Sequence, residues 1–174
     1  MDLYDAMRTT PATREFTGEP LPDELFDKLT AAKNFQSAMG MLRQVELSLF
    51  DFRLHLEPAA PSAADIQALL DDVRAKVSVV PRVEFNRFQN SFGHIFAGGY
   101  AAGYYSYKWA EVLSADAYSA FEEAGVFDAD TGIRFRREIL EQGGARDAAE
   151  LFRAFRGRDP SVEPLLRHSG IRAA

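Results

Sequence analysis

No cysteine occurs among these 174 residues. That excludes a disulfide framework and any thiolate site, and it fits the cytosol, so a cytoplasmic protein is expected. No basic block stands out either: 20 Lys and Arg are interleaved with 26 Asp and Glu, for a net charge of −6, which argues against a nucleic-acid partner. No apolar stretch is long enough to span a bilayer, and no apolar run follows a basic start, so neither a membrane span nor a signal peptide is expected. Histidine is scarce. His55, His94 and His168 lie far apart, and none belongs to a His-Glu-x-x-His pattern. Ser91 lies near His94, but without a Gly-x-Ser-x-Gly elbow a serine hydrolase is not the reading. No internal repeat or low-complexity tract appears. What is present is a 47% hydrophobic and 12% aromatic chain, enough to bury the core of one domain.

The periodicity predicts helices. The first starts at Pro22 or Asp23, where proline suits the first turn, with Leu25, Leu29, Ala32 and Phe35 as its apolar face. After a bend near Ser37 to Gly40 the helix resumes with Leu42, Val45, Leu49 and Phe52 as its stripe, stopping by Pro58. Ser62 and Asp65 form a capping box for a helix carrying Ile66, Leu69, Leu70 and Val73. Residues 77–80 read as an extended linker, and residues 86–93 as irregular chain anchored by Phe85, Phe88 and Phe92. A long helix follows over about 99–124, packed through Trp109, Val112, Leu113 and Phe121 and stopped by Gly125. Asp130 or Thr131 caps the next helix, residues 148–155 make another, and Asp159-Pro160 opens the last, closed at Gly170. The fold class is all-α, a multi-helix bundle with short connections.

The segment from Ser91 to Tyr107 carries the densest chemistry. Tyr100, Tyr104 and Tyr107 fall at i, i+4 and i+7, so a helix places their rings on one face beside His94. Phenol hydroxyls in that arrangement can grip peptide carbonyls or stabilise an oxyanion. An aromatic stripe that only packs a helical core is the alternative. Gly98 and Gly99 let another backbone approach. Elsewhere, Glu122-Glu123 and Asp128 with Asp130 read as helix-end acids, and Asp71-Asp72 as a solvent face. Asp116 reads as a structural hydrogen-bonding group, and Arg153, Arg156 and Arg158 as solvated or ion-paired.

This segment resembles the thimet-type zinc oligopeptidases, the group that includes oligopeptidase A and dipeptidyl carboxypeptidase. The likeness also runs through Thr17-Gly18-Glu19-Pro20-Leu21-Pro22, Ala31-Ala32-Lys33-Asn34-Phe35-Gln36, Leu49-Phe50-Asp51-Phe52-Arg53-Leu54-His55, Leu151-Phe152-Arg153-Ala154-Phe155-Arg156-Gly157-Arg158 and Leu166-Arg167-His168-Ser169-Gly170-Ile171. The resemblance implies that residues 17–174 correspond to the helical C-terminal domain of a longer enzyme, acting on oligopeptides. It implies that His94 and Tyr107 contact the transition state, that Tyr100 and Tyr104 bind substrate, and that Gly98 and Gly99 form the approach. The family's zinc sits on a His-Glu-x-x-His helix plus a further glutamate. This chain lacks that motif, so no zinc or other cofactor is expected in it and the metal half is expected upstream, leaving the chain inactive in proteolysis alone.

Residues 1–16 resemble instead the opening of flavin-dependent nitroreductases, with Arg8 and Arg14 at positions that help hold a flavin phosphate in that family. They read as a leader rather than an independent domain, joined to the rest near Thr17 to Asp23. Three functions are weighed: a peptidase segment that works with a complementing zinc-bearing chain, a peptide-binding module without turnover, and a self-associating helical unit. A flavoprotein is a distant fourth.

Overall fold

The computed structural model describes residues 18, 20, 22–56, 60–81 and 83–171. Arg8, Arg14 and the rest of the leader lie outside them. All regular structure among the described residues is helical, as the all-α reading expects. The chain divides into two units at Phe35/Gln36.

In the first unit, α1 spans Asp23–Lys33, with Pro22 before it and Asp23 and Glu24 in the first turn, where acids suit the positive end of the helix dipole. Its expected apolar face is not a core face: Leu25, Leu29 and Phe35 are all exposed, and no residue of α1 is buried.

In the second unit, α2 runs over Ser37–Leu56. The break before it is the turn at 34–36, where Gln36 has φ 54°, so the bend comes earlier than expected and Gly40 lies inside the helix. The buried stripe also differs from expectation. Leu47, Phe50 and Leu54 face the core with Glu46 and Asp51, while Leu49 and Phe52 are exposed. Both stripes have helical spacing, so periodicity alone does not choose between them. The choice follows from Asp51, whose partners are distant in sequence.

Helix α3, Ala63–Val77, begins at the expected capping box: Ser62 and Asp65 bond reciprocally. It buries Leu70 and Val73 against α2, with Ile66 and Leu69 partly buried. Residues 78–81 form no strand, and Val79 and Val80 are exposed. A single 3₁₀ turn, Phe88–Ser91, leads into the one-turn α4, Gly93–Phe96. Phe92 is buried and Phe88 partly so, but Phe85 is 83% exposed and anchors nothing. Leu47, Phe50, Leu54, Leu70, Phe92, Ile95 and Tyr104 make one core.

The tyrosine helix starts later than the sequence suggests. Helix α5 spans Ser106–Ala124, so Tyr100 and Tyr104 lie in the turns before it. Gly99 at φ 77° and Ala102 at φ 54° take left-handed backbone, which cannot continue a right-handed helix. At its far end α5 stops at Gly125, as expected. Trp109, expected on the packing side, is exposed, whereas Val112 is buried.

Helix α6, Ala129–Phe135, is capped by Asp128, which accepts from the Thr131 N–H at 2.7 Å, rather than by Asp130 or Thr131. It continues into a π-helical turn, Arg136–Leu140. Helix α7, Ala148–Arg156, is capped by Asp147 and closed by left-handed Gly157. Phe121, Phe135 and Phe155 pack ring to ring, with centroids 5.3–6.4 Å apart. The last helix, α8, is Glu163–His168. Asp159 does not cap it. Its carboxylate accepts instead from Arg153 Nε at 2.6 Å, so the chain turns once more before the helix begins.

Candidate functional site

Four expected site residues come together, although by turns rather than along a helix. The Tyr100 and Tyr107 rings lie 5.0 Å apart and those of Tyr104 and Tyr107 5.2 Å apart. The His94 ring meets Tyr104 edge-on at 5.7 Å, Tyr107 at 6.3 Å and Tyr100 at 6.2 Å. Beneath them Phe92 touches Tyr104 at 5.0 Å and ties the cluster to the core. The polar surface is graded: Tyr104 is buried, Tyr100 half-buried, and His94 and Tyr107 exposed.

The phenols are not equivalent. The Tyr104 hydroxyl donates to Gln44 Oε1 at 3.1 Å, so it is engaged with α2. The Tyr107 hydroxyl is held protonated above its usual range by a hydrogen bond to Tyr100, with desolvation adding to the effect. A phenol is protonated near neutral pH in any case, and its O–H is the donor that a peptide carbonyl or an oxyanion accepts from.

Gly98 and Gly99 both lie exposed in the turn after α4. Gly98 packs against the backbone of His94: a Cβ there would stand 2.8 Å from the His94 carbonyl oxygen and 2.9 Å from its Cα. Only glycine fits, so Gly98 sets how closely the turn folds over His94. Gly99 supplies the left-handed φ and has open space around it.

Two residues that sequence reasoning passed over hold this turn. The Asp51 carboxylate, with no exposed surface, accepts the N–H groups of Ala102 and Tyr104, each at 2.9 Å. Gln44, two helical turns earlier on α2, holds the Tyr104 hydroxyl. The only signal in the sequence was an acid between two phenylalanines, Phe50-Asp51-Phe52.

The other candidates have structural partners. Ser91 Oγ donates to the Phe88 carbonyl at 3.0 Å. His168 Nε2 lies 2.9 Å from Glu122, which Arg167 also holds. Asp116 is buried among Arg158, Arg156 and the Ser161 N–H. Burial pushes its carboxyl up, but the Arg158 and Ser161 bonds outweigh that and hold it below the ordinary range. His55, His94 and His168 each sit in a different neighbourhood. Among the described residues no three His, Asp or Glu side chains gather as a metal site. The donor set on these residues therefore does not fit a zinc ion.

The chain is 54% identical over 156 residues to oligopeptidase A of Salmonella typhimurium, covering 90% of the chain and 23% of that protein. It is 56% identical over 155 residues to oligopeptidase A of Haemophilus influenzae, covering 89% of the chain and 23% of the relative. Dipeptidyl carboxypeptidase of Escherichia coli is 35% identical over 160 residues, with 89% and 23% covered. The chain thus spans about a quarter of the length of the relatives it matches. The sequence profile of peptidase family M3 matches residues 4–171, which takes in most of residues 1–16. With nearly its whole length under that profile, the chain belongs to peptidase family M3.

Proposed function

We propose that this chain supplies the peptide-contacting face of a metallopeptidase of the oligopeptidase type. The observation that carries the reading is the clustering of His94, Tyr100, Tyr104 and Tyr107 at one exposed turn. Tyr107 and His94, the exposed members, face the reacting carbonyl. Tyr100 backs Tyr107, and Tyr104, through Gln44, sets the floor. Gly98 and Gly99 leave room for the peptide backbone. Cleavage depends on a metal-holding half outside these residues, whether on the same or a complementing polypeptide, and the chain alone binds oligopeptides without turning them over. A flavin role for residues 1–16 rests on resemblance alone, and the M3 match over residues 4–16 favours the peptidase reading there.

A second reading, self-association, draws on the apolar surface left bare. Phe85, Trp109 and Phe127 are exposed, and a groove of about 520 Å³ is lined by Leu113, Phe121, Phe135, Ile139, Leu151 and Phe152. Surfaces of this kind favour contact between chains.

Calorimetric titration of a quenched fluorescent oligopeptide, with and without zinc, tests both readings. Binding without hydrolysis, weakened about tenfold or more in Tyr107→Phe and His94→Ala, is the expected result. Hydrolysis by the isolated chain with zinc bound at its own stoichiometry overturns the inactivity. No peptide binding, together with a concentration-dependent oligomer, replaces the first reading with the second.

A further inference from the structure

We propose that Asp51 is a positioning residue: its buried carboxylate clamps the 98–104 turn and thereby sets where the Tyr100, Tyr104 and Tyr107 rings stand. The inference rests on the reading of that cluster as a peptide-contacting surface.

The geometry is specific. Asp51 Oδ1 accepts the Ala102 N–H and Oδ2 accepts the Tyr104 N–H, each at 2.9 Å. His55, one helical turn further along α2, points its Nδ1 at the Asp51 backbone carbonyl, 2.8 Å away, and passes 2.9 Å from Oδ1. Bonds to a carboxylate are the stronger kind. Ala102, the first of the two donors, has φ 54°, a left-handed conformation that costs free energy for a residue bearing a Cβ. Successive N–H groups around such a residue form a concave nest suited to an anion. Here the anion is supplied from within the chain.

Each half requires the other. A carboxylate with no exposed surface is costly without donors, and buried N–H groups are costly without an acceptor. Tyr104 links the clamp to the site. Its N–H is held by Asp51, and its ring stands between Phe92 below and His94 and Tyr107 beside it. A shift of the Tyr104 backbone therefore moves the contacts of the exposed phenol. Asparagine at position 51 keeps the shape but turns one acceptor oxygen into an amide donor, which meets an N–H head-on.

The test compares wild type, Asp51→Asn and Asp116→Asn, the last removing a buried carboxylate outside the cluster. Absorbance titration of the phenols, with Tyr107→Phe subtracted in each background, reads the part of the titration that depends on Tyr107. In wild type and Asp116→Asn it should titrate above the free phenol, whereas in Asp51→Asn it should return to the free value. Oligopeptide affinity should fall about tenfold in Asp51→Asn. A Tyr107 titration unmoved by Asp51→Asn, or moved equally by Asp116→Asn, overturns the proposal. Amide exchange in the wild-type chain needs no variant: Ala102 and Tyr104 should exchange about a hundredfold slower than an unfolded chain, and unprotected rates overturn the clamp even if Asp51→Asn does not fold. If wild type binds no oligopeptide while Asp51→Asn still shifts Tyr107, the clamp stands and the peptide-binding reading fails.

Discussion

Arg158 grips Asp116 with both terminal nitrogens, at 2.7 Å and 2.5 Å, across 42 residues of sequence. The carboxylate has no exposed surface, and Arg156 Nε and the Ser161 N–H approach the same group, at 3.3 Å and 2.7 Å. One acid on α5 thus ties down the segment after α7. Removing the carboxylate strips an acceptor from the buried Arg156 and from the Ser161 N–H, while Arg158 can turn to solvent, at a cost of about 1–3 kcal/mol. Asp116→Ala should lower the urea-unfolding free energy by that amount, whereas Lys28→Ala, whose exposed pair with Glu24 lies on α1, should change it by less than about 0.5 kcal/mol.

The same network sets an acid limit. Arg158 and Ser161 prevail over burial to hold Asp116 low; Arg167 holds Glu122 low, and Arg156 holds Glu123 low. A carboxyl whose folded value lies below its unfolded value adds stability that is complete above the unfolded value. That stability is lost as pH falls through the folded one. Urea midpoints should therefore hold steady from about pH 7 down to about pH 5 and fall below about pH 4. The fall should be shallower in Asp116→Ala, which has already lost part of this contribution.

Adjacent glycines should respond differently to alanine. At Gly98 the new Cβ would press on the His94 carbonyl oxygen and Cα at 2.8 Å and 2.9 Å, so backbone must move. Gly98→Ala should cost about 1–3 kcal/mol and alter the near-ultraviolet dichroism of the tyrosine cluster. At Gly99 nothing lies within 4 Å, but φ is 77°. Gly99→Ala should cost about 1–2 kcal/mol through backbone strain alone, with the dichroism largely retained.

Phe50 and Phe52 report which face of α2 is core. Phe50 is wholly buried, whereas Phe52 is 39% exposed and leans on Tyr105 at 5.0 Å. Phe50→Ala should destabilise by about 3–5 kcal/mol, and Phe52→Ala by about 1 kcal/mol. Equilibrium unfolding of the two variants checks the order, and a larger loss at Phe52 would reverse the assignment of the stripe.

Local chemistry was legible in the sequence at several places where a residue's partner lies within a few positions, though not at the Asp128 cap of α6. Ser62 and Asp65 cap each other, Gly125 and Gly157 end helices, and Pro22 stands at the start of α1. The tyrosines and His94 were likewise recognisable as a group, because their residue types and spacing are unusual. Their grouping survives even though the helix expected to carry two of them does not exist at those positions.

By itself, then, the sequence determined the helical class, some of the helix ends, the M3 family and the identity of the clustered side chains. Tertiary structure alone decided which stripe of α2 is buried, where the tyrosine helix begins and how the phenols differ. Those outcomes hang on Asp51 meeting Ala102 and Tyr104, and on Gln44 meeting Tyr104, bonds that span 51 to 60 residues. A hydrophobic period describes only the chain's own turns, and it carries no record of which distant N–H a buried acid will accept.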